Sequence, residues 1–198
     1  HVIGRHYPTA AECGEPYLGF LDAVIECQAY LVARWQLVGF IHGVMNTDNM
    51  SIAGETIDYG PCAFMDSFHP ETVYSSIDHA GRHAYRSQPT VAHWNLARLA
   101  ESLLPLVSDD QDEAISKVTE VINTFEKRFQ AFYTAGLQRK LGLAETCEGD
   151  VELGQALLDC MAANHADFTL TFRKLCALSS TTSQADGSVR KLFEDSSA

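Results

Sequence analysis

Apolar positions recur at helical spacing over the first third of the chain. Leu18, Leu21, Val24, Ile25, Ala29, Leu31, Val32 and Trp35 predict a helix running from about Tyr17 to Val38. Pro16 suits its first turn and Gly39 its end. The stretch before Pro16, broken by Pro8 and Gly14, reads as irregular. After Gly39 the period changes. Met50-Ser51-Ile52-Ala53 and Thr56-Ile57-Asp58-Tyr59, separated by Gly54-Glu55, predict a small β-hairpin, closed by Gly60-Pro61. From Pro61 to Pro89 the pattern predicts loop with at most one short helix. Helical periodicity then returns. It predicts helices over Val91 to Val107, Asp109 to Leu141, Val151 to Ala163 and Asp167 to Leu178. The acids Asp109, Asp110, Asp112 and Glu113 read as the solvated start of the second of these. Residues 179–198, rich in Ser, Thr and Asp, read as a frayed, flexible tail.

The predicted fold class is therefore mainly α with a small β-hairpin. No alternation of strand and helix suggests a doubly wound sheet. The chain of 198 residues fits one domain or one lobe of a larger protein, and its composition is globular. It does not begin with Met and ends raggedly, so it is expected to be a fragment. The formal charge of −12 argues against duplex nucleic acid and anionic membrane surfaces as partners. It leaves room for hard cations, which seek oxygen-rich clefts. Six cysteines without a C-x-x-C pair read as small buried hydrophobes in a reducing compartment. Trp35 and Trp94 read as core.

The chemistry is concentrated in His42-Gly43-Val44-Met45-Asn46-Thr47-Asp48-Asn49-Met50-Ser51, followed by Asp58-Tyr59-Gly60. A hairpin between these runs brings Asn49 and Asp58 together as oxygen ligands. Mg²⁺ is commonly held by one or two such ligands plus substrate phosphates. Phosphotransfer enzymes of the protein-kinase type share this layout: a His-containing catalytic loop, a metal-binding Asn, then Asp-Phe-Gly. Here the position of their catalytic Asp is Val44, and Asp48 is the available substitute base. His42 reads as a brace for the loop. Arg82 reads as a group that meets phosphate or braces an acid. The spacing of His69, His79, His83 and His93 does not make a zinc motif. A place for them near substrate or phosphate is the preferred reading.

The run from His42 to Ser51 with Ile57-Asp58-Tyr59-Gly60-Pro61 resembles the selenoprotein O family. Asp78-His79, Gly81-Arg82, Ala84-Tyr85, Gln88-Pro89, Trp94-Asn95-Leu96, Lys140-Leu141-Gly142-Leu143 and Asp167-Phe168-Thr169 extend the resemblance from about Arg5 to Leu178. It implies a protein-kinase-like C-terminal lobe over residues 1–178. It implies an adenylyltransferase that moves AMP from ATP to Ser, Thr or Tyr hydroxyls of proteins. Asp48 would be the catalytic base, and Asn49 and Asp58 would hold Mg²⁺ or Mn²⁺, with Asp58 also meeting the nucleotide. The implied partners are ATP and protein substrates, with neither nucleic acid nor membrane. The compartment would be the cytoplasm in a bacterium or the mitochondrion in a eukaryote. Without the family's upstream glycine-rich segment and phosphate-contacting lysine, the isolated chain is expected to transfer little. A kinase-superfamily phosphotransferase and a non-catalytic ATP-binding scaffold are the alternatives.

Overall fold

In the computed structural model, residues 1–145, 147–177, 187 and 189–193 are described. Seven α-helices and one two-stranded sheet make up the regular structure of these residues: α1 (Val2–His6), α2 (Pro16–Val38), β1 (Phe40–Ile41), β2 (Ala63–Phe64), α3 (Gln88–Val107), α4 (Gln111–Ile122), α5 (Phe125–Leu141), α6 (Asp150–Ala163) and α7 (Phe168–Leu175). Short 3-10 turns lie at Pro8–Glu12, Thr47–Asn49 and Tyr85–Ser87. The mainly helical class is as expected.

α2 is the central helix. It packs against α3, α4 and α5, and its buried face includes Leu21, Ile25, Ala29 and Val32. Pro16 stands at its first turn, and Gly39 ends it in the left-handed conformation, at φ +69°. β1 follows at once and pairs antiparallel with β2, Phe40 opposite Phe64 and Ile41 opposite Ala63. Successive strand residues face opposite ways. Phe40 accordingly joins the core around α2, α3 and α4, while Ile41 joins a second core with Met65, Phe68, Phe168 and Phe172. The strand that leads into the polar run is thus held from both sides.

Several expectations are corrected. The stretch before Pro16 contains α1 and a 3-10 turn rather than irregular chain. The hairpin over 50–59 shrinks to one bridge, Met50 with Thr56, and the true strands lie outside it, at 40–41 and 63–64. Two apolar strand residues buried on opposite sides leave no alternation to read. The helix expected over 109–141 is two. α4 turns Ala114, Val118 and Ile122 inward, and α5 turns Phe125 and Phe129 inward. Thr124 closes the corner by donating its hydroxyl to the Val121 carbonyl at 2.7 Å. The acidic start of α4 is as expected, with the Asp110 carboxylate accepting from the Glu113 amide at 3.0 Å.

The cysteines are free but not a buried set. Cys13, Cys147 and Cys176 are exposed, and Cys27, Cys62 and Cys160 are half-buried. The three exposed ones sit at helix ends or in loops, where apolar sequence neighbours do not set burial. The tail assigned to 179–198 falls largely outside the described residues. Within it, Phe193 packs against the second core.

Candidate active site

The segment Phe40–Ser51 runs across the molecule between α2 and α3, and three buried side-chain amides hold it there. Gln88, at the start of α3, accepts from the His42 amide at 2.9 Å and donates to the Phe40 carbonyl at 3.0 Å. Asn95, two turns on, donates to the Met45 carbonyl at 2.9 Å and to the Met50 sulfur. Gln28 of α2 donates to the Ser51 carbonyl at 2.6 Å. Gln36 of α2 and Tyr85 exchange bonds, each side chain donating to the other's carbonyl at 2.6 Å. A buried backbone group without a partner costs about 1–3 kcal/mol. Amides spaced along otherwise apolar helix faces act here as replacements for sheet partners. Gln88 and Asn95 entered the sequence reading only within the resemblance, and Gln28 and Gln36 not at all. Their signal was a polar residue on a buried helical stripe.

His42 is completely buried, and its Nε2 lies 2.8 Å from the Ile57 carbonyl. The ring also packs against Trp35, whose indole N–H donates to Thr56 Oγ1 at 2.9 Å. The bracing role expected of His42 is thereby given a geometry: it ties the start of the run to the residue before Asp58. Gly43 has φ +82°, and a Cβ there would stand 2.9 Å from the Pro61 carbonyl oxygen. His83 is buried, and its Nδ1 accepts from the Met45 amide at 3.2 Å. Burial pushes its imidazole below the ordinary value, with Arg82 and His42 adding to the effect and the Asp78 carboxylate opposing it. Burial raises the Asp78 carboxyl, but amides of His83, Arg82 and Gly81 outweigh that, and it ends below its usual range. His83 is therefore a brace of the loop.

These contacts bring two side chains together, with Asp48 next to them in the chain. Asp48 and Asn49 lie on the 3-10 turn, with Asp48 exposed and Asn49 buried. Asp58 is exposed and takes a left-handed conformation, at φ +55°. The Asn49 amide nitrogen donates to Asp58 Oδ2. Asn49 and Asp58 therefore meet as expected, although almost none of the expected hairpin exists. The Asn49 amide oxygen is buried with no hydrogen-bond partner. A free amide oxygen beside a carboxylate is the donor set a hard cation takes. Among the described residues no group of three His, Cys, Asp or Glu side chains converges as a ready-made metal cage. The residues thus fit a cation that takes its remaining ligands from substrate and water.

Arg82, expected to meet phosphate or brace an acid, has its guanidinium 4.8 Å from the centre of the Trp94 ring. One expectation fails here: Trp94 is not core. It is 44% exposed and carries Arg98 on its ring as well, at 5.1 Å. It stands one position before Asn95, on the outer face of α3.

A family model described as protein adenylyltransferase SelO matches residues 1–197. The chain belongs to the SelO family. The SelO chain is similar over its full length to a protein nucleotidyltransferase YdiU of Rhodopseudomonas palustris, at 57% identity, covering 40% of that protein. It is 54% identical to the protein of the same name from Nitrobacter winogradskyi over 198 residues, 39% of that protein. A Bradyrhizobium protein, again named protein nucleotidyltransferase YdiU, is 58% identical over 195 residues, 98% of this chain and 39% of the relative. The SelO chain spans about two fifths of the length of these curated relatives. Among the described residues no helix is long and apolar enough to cross a membrane.

Proposed function

We propose that this SelO chain is the catalytic-loop and metal-binding part of a protein adenylyltransferase, built as a kinase-like C-terminal lobe. The observation that carries the reading is the Asn49–Asp58 pair, with its unpartnered amide oxygen, directly beside the exposed Asp48. Asn49 and Asp58 would hold Mg²⁺ or Mn²⁺, which neutralises charge on the ATP phosphates when bound. Asp48 accepts the proton of a protein Ser, Thr or Tyr hydroxyl as its oxygen attacks the α-phosphorus. The bond to the pyrophosphate leaving group breaks, and AMP remains on the acceptor. The braces from His42, Gln88 and Asn95 keep these side chains in place without reorganisation. The family match and the names of the bacterial relatives support nucleotidyl transfer, and the bacterial cytoplasm is where we place it.

The test uses the full-length protein with Mg²⁺-ATP and a generic protein acceptor, read by intact mass. A gain equal to AMP, lost in Asp48→Ala and in Asp58→Ala, is expected. A gain equal to phosphate would make the protein a phosphotransferase. ATP binding without any covalent product would leave a scaffold.

A further inference from the structure

A cavity of about 280 Å³ opens beside the catalytic turn, lined in part by Thr47, the residue before Asp48. Its floor is apolar, with Val24 from α2, Ile52 from the loop and Leu96 and Leu99 from α3. Gln28 and Asn95 form its polar wall, and each has a side-chain oxygen with no partner. These oxygens are not flipped nitrogens, because both amide nitrogens already donate to backbone carbonyls. Arg98 stands at the rim. It adjoins Trp94, and Trp94 in turn carries Arg82.

Two arginines stand together on this rim in a chain whose net charge is −12. Arg98 is paired with Glu101 at 2.7 Å. Arg82 has no carboxylate within ion-pair distance among the described residues. A half-exposed indole carrying two guanidiniums is a platform that keeps those cations extended.

We propose that this cavity and its arginine rim dock the acceptor protein, taking an apolar side chain into the cavity and an acidic residue beside it onto Arg82 and Arg98. The proposal rests on the adenylyltransferase reading and adds to it the sequence context of the modified hydroxyl. Charge selects the occupant, since an acidic segment is steered to Arg82 and Arg98. Position supports it, since the cavity adjoins the turn that carries Asp48. The apolar side chain supplies affinity through burial, and the acid supplies orientation.

The probe is a set of synthetic peptides, each with one central Ser, Thr or Tyr. Flanking positions are fixed in turn as Leu, Glu, Lys or Gly. Label transfer from radioactive ATP by the full-length protein is read for each. Glu is expected to exceed Lys by about fivefold at one or more flanking positions, the range of an exposed ion pair. Leu is expected to exceed Gly by about tenfold at a neighbouring position, as burial of its side chain implies. Arg82→Glu should reverse the Glu-over-Lys ratio, and Leu99→Trp, which fills the cavity, should erase the Leu-over-Gly ratio. Ratios within one variant do not depend on how much of it is folded. Flat preferences in the parent, or preferences that survive both substitutions, overturn the docking proposal while leaving nucleotidyl transfer standing. Transfer to neither peptides nor the protein itself overturns the adenylyltransferase reading and the docking proposal with it.

Discussion

Gln88→Met removes the amide that substitutes for a strand partner while keeping nearly the same shape. Gln88 is completely buried, and its side chain serves the His42 amide at 2.9 Å and the Phe40 carbonyl at 3.0 Å. Met retains the packing but can serve neither group. Each orphaned backbone group costs about 1–3 kcal/mol, so the expected loss is about 2–6 kcal/mol. Against a total stability of about 5–15 kcal/mol for an ordinary protein, that is a large fraction. Urea unfolding of parent and variant measures it. The midpoint should fall at unchanged slope, since native packing is retained. Asn95, two turns further along α3, holds the Met45 carbonyl independently, so the fold should survive with a loosened loop. Faster amide exchange at His42 than in the adjoining β1 would show that loosening. A loss below about 0.5 kcal/mol, the range of an inert surface substitution, would refute the reasoning. It would mean that the two backbone groups find water or another partner.

Gly43→Ala should cost about 1–3 kcal/mol from the left-handed backbone alone. The clash of its Cβ with the Pro61 carbonyl would displace the segment after Asp58. Thermal unfolding checks the first effect, and a loss of transfer larger than the loss of folded protein checks the second. His83 predicts an acid-sensitive loop. Its folded pKa lies below the ordinary value, chiefly through burial, and its Nδ1 must be unprotonated to accept from the Met45 amide. The stability it contributes is therefore present above the unfolded value of about 6.5 and is lost as pH falls through the lower folded value. An NMR titration of the imidazole against stability should show this, and His83→Ala should flatten that part of the profile. A folded pKa above 6.5 would contradict it.

The sequence by itself determined most of the helices, α1 and the break between α4 and α5 excepted, and the chemistry-bearing run. Long amphipathic stripes and punctuating Pro16 and Gly39 specify α2 through interactions three and four residues apart, which are local. The Asp48-Asn49 run and Asp58-Tyr59-Gly60 are likewise contiguous motifs, legible because their chemistry and their spacing are unusual together. Tertiary structure decided what holds them. The sheet formed from Phe40–Ile41 and Ala63–Phe64, more than twenty residues apart and only two residues long, with no alternation to announce it. Gln28, Gln88 and Asn95 look alike in a helical pattern to any solvated amide. Only the packing of α2 against α3 places the backbone of Phe40–Ser51 between them. Trp94 shows the same limit from the other side. Its residue type suggested core, and the fold puts it on the surface with Arg82 against its ring. Local propensity is written along the chain. Burial and hydrogen-bond partnership belong to pairs of residues far apart in sequence, which become neighbours only once the chain has folded.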